Sequence, residues 1–258
     1  MKVKKGHEPV FIIKEDIRME KMTITIETKS NLLIGGTPPN FEIGGIDMYT
    51  KKDKQGYPII PASSFKGALR AMVRDIKDNP EANKIKNSYA DYFQKLYEQN
   101  LEKMKSLNID SDRKNKMKKH FEDALKNVSA EYLFGVVGFN HTPKLLFYDF
   151  TIEEEIKKQN NTEQFFSIDA KNTIDTKLED RITANPRVYQ AVRPNVKFKG
   201  EIIFYQMEEL DIKTEEIRQF LETVICQFNH GFYRLGNSKS RGYGLISVEI
   251  NKMGCSNV

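Results

Sequence analysis

Residues 61–76 read PASSFKGALRAMVRDI, and their spacing predicts a helix. Phe65, Ala68, Leu69, Met72, Val73 and Ile76 recur at i, i+3, i+4, i+7, i+8 and i+11, which gathers them on one face. Ser63 or Ser64 can cap the start, and Lys66, Arg70 and Arg74 fall on the other face. Upstream, Met22, Ile24 and Ile26 alternate as a half-buried strand requires. That strand is read as running on through Leu32, Leu33 and Ile34 to Gly35-Gly36. Residues 37–58, TPPNFEIGGIDMYTKKDKQGYP, then form a loop rich in Gly and Pro. Loops of that length inside a compact domain are usually functional or mobile.

Downstream, residues 78–128 change character. Two helical patterns, Tyr89–Leu107 and Arg113–Val128, flank a polar turn and read as an inserted, mostly solvated hairpin. Tyr89, Phe93, Leu96, Met117, Phe121 and Leu125 are its inward residues. The run AEYLFG closes a short helix on Gly135. Lys144–Phe150 and Gln164–Asp169 are expected to pair as strands. Val196–Tyr205 is a further strand, with Val196, Phe198, Ile202 and Phe204 on one side. A second helix starts near Thr214 with Ile217, Leu221, Val224, Ile225 and Phe228 inward, and a last strand holds Ile246, Val248 and Ile250. The order is βαββαβ, an α+β chain with a ferredoxin-like or RRM-like core and long loops. One such domain is expected over residues 1–258, with a helical insertion at about 78–130 and a thumb-like insertion at about 151–195.

The chain has 258 residues, 30% of them charged, and a formal charge of +5, whose sign suits a polyanionic partner. Cys226 and Cys255 are its two cysteines, without a CxxC pairing, and His7, His120, His141 and His230 are scattered. Neither a disulfide scaffold nor a cysteine zinc site is expected. Cys226 reads as a core thiol in an apolar helix. No stretch approaches the length needed to cross a bilayer, so no membrane contact is expected and the protein is placed in the cytoplasm.

Three segments carry chemistry. In IPASSFKGALR (60–70) a Ser pair opens a helix, whose exposed N–H groups, with Lys66 and Arg70, suit a phosphate. An ordinary capped helix with solvated cations reads from the same residues. In LGNSKSRGYG (235–244) three glycines stand with Lys239, Ser240 and Arg241, so backbone amides can approach an anion closely. The GK[ST] ending of a nucleotide P-loop is missing, which argues against ATP. A plain hairpin turn explains the glycines but not the charge. In RITANPR (181–187), Arg181, Asn185 and Arg187 beside a proline turn can bracket a phosphate backbone, or form a solvated loop.

In their order these segments resemble the RAMP superfamily of CRISPR proteins, specifically the repeated backbone subunit of type III effector complexes. The matching stretches are IGG at 34–36, IGGID at 43–47, YPIIPASSFKGALR at 57–70, LFG at 133–135, KNTIDTKLEDRITANPR at 171–187 and GNSKSRGYG at 236–244. The resemblance covers most of the chain outside its N-terminal residues and the helical insertion. It implies an RRM-like core whose copies stack head to tail on a guide RNA beside other effector subunits. It also implies guide contacts at Lys51, Lys52, Ser63, Ser64, Lys66, Arg70, Arg181, Asn185, Arg187, Lys239, Ser240 and Arg241. A thumb would interrupt the guide–target duplex, and Asp47 would cut the target RNA with Mg2+ or another divalent cation. Asp47 would act as metal ligand or as general base toward a ribose 2′-OH. An Asx-turn residue after two glycines is the ordinary alternative.

Two further readings stand beside this one: a non-catalytic architectural subunit, and a stand-alone guide-processing endoribonuclease using His230 and Tyr233. Leu33 stands where the family often has a histidine before the first glycine pair, so no role for that histidine is implied. No zinc is expected in the helical insertion, which lacks clustered Cys and His.

Overall fold

The computed structural model describes residues 20–36, 46–76, 78–106, 111–175 and 183–251. Strand β1 spans Lys21–Thr28, and the alternation reaches its full length, with Met22, Ile24, Ile26 and Thr28 buried. The strand ends there instead of continuing to Ile34. Lys29 and Ser30 turn to donate to the Leu245 carbonyl, and Leu32 bridges to Val192 in a different sheet. Gly35–Gly36 is itself a short strand, β2, paired with β3 (Met48–Thr50).

Helix α1 covers Ala62–Asp75 and buries Phe65, Leu69, Met72 and Val73. Its N-cap is Pro61, without a side-chain cap bond, and Ser63 and Ser64 already lie in the first turn. Asp149 takes the capping role, its Oδ1 accepting from the Ala62 N–H at 2.7 Å. The reason is tertiary. Ile60 and Phe150 exchange both backbone hydrogen bonds, at 3.0 and 2.9 Å, which brings the neighbouring carboxylate to the mouth of the helix.

Helices α2 (Pro80–Ser106) and α3 (Ser111–Lys126) form the hairpin. Tyr89, Phe93 and Phe121 are buried, and Leu96, Met117 and Leu125 pack partly buried against the same core. The AEYLF run is a 3-10 turn ending on Gly135 at φ +95°, a conformation that favours glycine. Then follow β4 (Lys144–Phe147), α4 (Glu154–Gln159), β5 (Phe166–Asp175), β6 (Thr183–Val192), β7 (Lys197–Tyr205), α5 (Thr214–Cys226) and β8 (Ile246–Asn251).

The first sheet has the order β4-β7-β1-β8, with every neighbouring pair antiparallel. With α1 between β1 and β4 and α5 between β7 and β8, this is the βαββαβ plan. The second sheet, β2-β3-β6-β5, was not expected as a unit. The expected pairing of Lys144–Phe150 with Gln164–Asp169 does not occur. β4 joins β7, with Leu145 opposite Phe204, while β5 pairs with β6 as a ten-residue hairpin. Closing that nearby hairpin costs less chain entropy than the longer connection would.

Cys226 is exposed, not a core thiol. Val224, Ile225 and Phe228 take the inward face of α5 and its following turn, and Cys226 falls beside it. Cys255 and Arg181 lie outside the described residues.

The aromatic centre of the core is Phe65, whose ring lies 4.7 Å from Phe150 and 5.9 Å from Phe228. Phe150 lies directly on Gly200 of β7, where a Cβ would come within 2.6 Å of the ring. Gly200→Ala should therefore lower stability by about 1–3 kcal/mol through overpacking. Equilibrium urea unfolding monitored by circular dichroism checks this.

Candidate nucleic-acid interface

The second sheet and the glycine-rich loop form one unit. The Asn237 N–H donates to the Leu33 carbonyl at 2.7 Å, and the Gly244 N–H donates to the Asn31 carbonyl at 2.8 Å. Gly236 (φ +79°) and Gly244 (φ +77°) make this approach possible, since Cβ atoms there would lie 2.4 Å from Leu33 O and 1.9 Å from Leu235 O. Between them Lys239–Arg241 makes a 3-10 turn that leaves Lys239, Ser240 and Arg241 exposed. Tyr243 points the other way, into a small core with Leu33, Tyr189 and Ala191. Its hydroxyl donates to Asp169 Oδ2, which also accepts from Asn31 Nδ2 at 2.8 Å. Burial, followed by that bond to Asp169, pushes the Tyr243 phenol well above its ordinary range. It therefore remains a donor at physiological pH.

Asp47 stands at the end of β3 beside β6. Its N–H donates to the Val188 carbonyl at 2.8 Å, and the Val188 N–H donates to Asp47 Oδ2 at 2.6 Å. The carboxylate thus completes the ladder where β3 stops. The residue is exposed, and among the described residues Oδ1 has no hydrogen-bond partner. Arg187, also exposed, is the next residue along β6. Asn185 and Pro186 lie in β6 itself, not in the turn expected from the proline. Val188 directs its backbone groups toward β3, so Pro186, two residues away, faces the same edge beyond the end of that strand. A missing N–H there costs no ladder bond.

Among the described residues, no three His, Cys, Asp or Glu side chains converge to hold a metal ion. Asp47 offers one oriented carboxylate oxygen. That suits Mg2+, which is commonly held by one or two carboxylates with water and substrate phosphate completing its shell.

The remaining expected contacts divide into separate places. Lys51 is exposed beside β3, and its N–H donates to the Ile34 carbonyl. Lys52 is half-buried with Nζ 4.5 Å from the Phe166 ring centre, and burial pushes its ammonium below the ordinary lysine range. Ser63 and Lys66 line an open groove with Asn140 and Lys144. Burial, with Arg70 and Lys144 nearby, lowers the Lys66 ammonium as well. Arg70 differs from these because its Nε donates to Glu131 Oε2 at 3.0 Å, and Arg74 binds the same carboxylate. Ser64 is half-buried, its N–H bonded to the Pro61 carbonyl. Lys144 was missed in the sequence because it is the polar first residue of an apolar strand and carries no motif.

An RRM uses aromatic rings on its sheet to stack on bases. Here the middle of the central pair, β1 and β7, presents Thr23, Thr25, Lys199 and Glu201 on its outer face. Among the described residues no hydrogen bond joins His230 to Tyr233. His230 Nδ1 lies 3.2 Å from Gln227 Oε1 in an exposed 3-10 turn, while Tyr233 packs on the main core. No helix among the described residues is long and apolar enough to cross a membrane.

The glycine geometry is directly testable. Gly244→Ala should release the loop from residues 31–34 and lower stability by about 3 kcal/mol through backbone overlap and positive-φ strain. Hydrogen exchange should accelerate at the Asn237 and Tyr243 amides while β1 and β7 remain protected.

The RAMP superfamily profile matches residues 25–247. The chain is 27% identical over 231 residues to the CRISPR system Cms endoribonuclease Csm3 of Methanocaldococcus jannaschii, covering 89% of this chain and 78% of that protein. It is 26% identical over 239 residues to the Streptococcus thermophilus protein of the same name, covering 89% and 86%. A chain in the cryo-EM structure of the type III-B Cmr-beta bound to cognate target RNA aligns with a TM-score of 0.49 and 16% identity, over 90% of this chain and 61% of that one. With the profile running from within β1 into β8, the chain belongs to the RAMP superfamily.

Proposed function

We propose that this chain is a backbone subunit of a cytoplasmic type III CRISPR effector that holds guide RNA and cleaves complementary target RNA. The observation that carries the proposal is the placement of Asp47. An exposed carboxylate is pinned through one oxygen beside the middle of the β5–β6 hairpin, on the same sheet unit as the basic glycine-rich loop. The similarity to two proteins named as CRISPR endoribonucleases supports it.

Guide contacts are assigned to the phosphate backbone, which carries no sequence information and so suits a subunit serving any guide. Lys239, Ser240 and Arg241 offer donors beside open backbone, and Ser63, Lys66 and Lys144 offer a second cationic groove. Lys51, Lys52 and Arg187 lie along the sheet between β3 and β5. Copies of the chain would associate head to tail along the RNA, a heterologous contact that does not close on itself, together with other effector subunits.

At the cleavage site the Val188 N–H fixes the Asp47 carboxylate, so Oδ1 is presented in one direction. As general base, Asp47 would take the proton of a ribose 2′-OH. The freed oxygen then attacks the adjacent phosphorus, the bond to the 5′-oxygen breaks, that oxygen leaves as a hydroxyl with a proton from water, and a 2′,3′-cyclic phosphate remains. In the alternative role, as metal ligand and not base, that oxygen would hold a divalent cation, which would neutralise charge on the reacting phosphate. A purely architectural role is the second reading, favoured by the lack of a converging three-ligand set among the described residues.

Asp47→Ala in the assembled complex with magnesium should leave guide and target binding intact and abolish cutting of complementary RNA. Equal cutting by both proteins, or none by either while RNA stays bound, would assign the chain to scaffolding. Lys66→Ala and Arg241→Ala should each weaken guide binding and reduce the salt slope by about 0.7 for every phosphate no longer neutralised. Arg70→Ala should change the slope less, because Glu131 already occupies that guanidinium. Fluorescence anisotropy across a salt series measures all three.

A further inference from the structure

The α2–α3 hairpin carries a charge distribution that the proposed site does not use. Between Lys103 and Lys119 the sequence has seven Lys and Arg against two Asp, a balance of +5. The whole chain has 41 basic and 36 acidic residues, also +5, so the rest is balanced at 34 against 34. The entire net charge of the molecule sits on this one tip.

Five of the seven basic residues, Lys103, Lys105, Arg113, Lys114 and Lys116, lie past the residues that anchor the hairpin to the core, Tyr97 on α2 and Met117 on α3. From Tyr97 nine further residues reach Ser106. At 1.5 Å per residue the helix runs about 13 Å past that anchor. On the return, α3 begins at Ser111 and its buried residues are Phe121 and Ala124. Lys105, Arg113, Lys114, Lys116, Lys118 and Lys119 are all exposed. Among the described residues, the ion pair formed from this set is Lys118 with Glu122 at 3.8 Å.

As helix design the arrangement is unfavourable. Arg113 and Lys114 follow Asp112 at the positive end of the α3 dipole, where cations are repelled. Lys114 and Lys118 repel at i,i+4, as do Arg113 with Lys116 and Lys116 with Lys119 at i,i+3. Local rules broken in this way mark sites where something else supplies the compensation. A protein partner would call for apolar or aromatic anchors. Among the described residues the exposed large hydrophobics, Val137, Tyr148, Ile168 and Phe232, all lie elsewhere. Phosphates need only the cations.

We infer that the exposed cations of α3 from Arg113 to Lys119, in the outer part of the α2–α3 hairpin, are a second nucleic-acid contact, holding the phosphate backbone of a single strand beyond the part that reaches the glycine-rich loop. It rests on the chain being an RNA-binding subunit, but not on cleavage at Asp47 nor on where the guide lies. Contact is electrostatic and independent of base sequence.

The test compares the full chain with R113Q/K114Q/K116Q/K118Q/K119Q, with R113K, which keeps the charge, and with K239A/R241A. Labelled 40-nucleotide oligouridine and oligothymidine are titrated over a salt series, and circular dichroism with thermal unfolding confirms that each variant folds. The quintuple variant should lose at least tenfold in affinity at low salt, its slope falling by about 2 to 3.5, at about 0.7 for each phosphate released. R113K should bind as the parent does. Stronger loss on oligouridine assigns RNA, and equal loss assigns backbone charge alone. An unchanged slope in the folded quintuple variant overturns the inference, whatever K239A/R241A does. Loss of self-association in sedimentation velocity without nucleic acid, with the salt slope unchanged, overturns it too. That result would assign the tip to an acidic surface of a neighbouring copy, such as Asp149 and Glu153–Glu155. An effect of the quintuple variant without one from K239A/R241A would uphold the tip and remove the guide contact from the glycine-rich loop.

Discussion

Gly244 donates its amide to the Asn31 carbonyl while its own carbonyl accepts from Leu235, and no side chain fits at that crossing. This backbone-on-backbone contact joins the end of the chain to the segment that leaves β1, more than 200 positions away in sequence. Leu33, Tyr189, Ala191 and Tyr243 can share a core only because that approach is so close. Through Tyr189 and Val188 the same small core fixes β6 against β3, and so fixes Asp47. Two glycines therefore control the orientation of a carboxylate that neither touches.

The division of labour between the two sheets follows from this. The βαββαβ sheet supplies stability, with Phe65, Phe150 and Phe228 packed between strands and helices. Its outer face pairs its own charges, Lys21 with Glu201 at 2.7 Å and Lys199 with Glu153 at 2.9 Å. Exposed pairs of this kind add little stability, typically under about 1 kcal/mol, but they leave the surface without a strong field. The second sheet and its loop leave Lys51, Arg187, Lys239 and Arg241 exposed.

How much of this was legible in the sequence depended on whether the signal was local. Met22–Ile26 and Phe65–Val73 announce their structure because each buries one regular face. The same holds for the inward stripes of α2 and α5. The capping of α1 was misread because the serines are the right residue type, yet Asp149, 87 positions from Ala62, arrives first. The second sheet was illegible because its strands β2 and β3 have two and three residues, too short for any periodicity. Leu32–Ile34 looked like more strand because an apolar run has no mark for the point at which it changes sheets. Asp47, Lys239 and Arg241 were visible as residues through motif order, but their shared dependence on Tyr243 and Leu33 was not. Pro186 misled for a related reason: a proline signals a turn unless the edge it faces has no partner.

That proline, with Asp47, has a consequence for solubility. An unpaired strand edge offers its amides and carbonyls to any other extended chain, and natural sheets blunt such edges to avoid aggregation. Along the β3-facing edge of β6, Pro186 withdraws one donor and Asp47 occupies the next, at Val188. Strand addition from a neighbouring molecule would find the edge interrupted there and a negative charge beside it. The hairpin is thereby kept from zipping onto another extended chain.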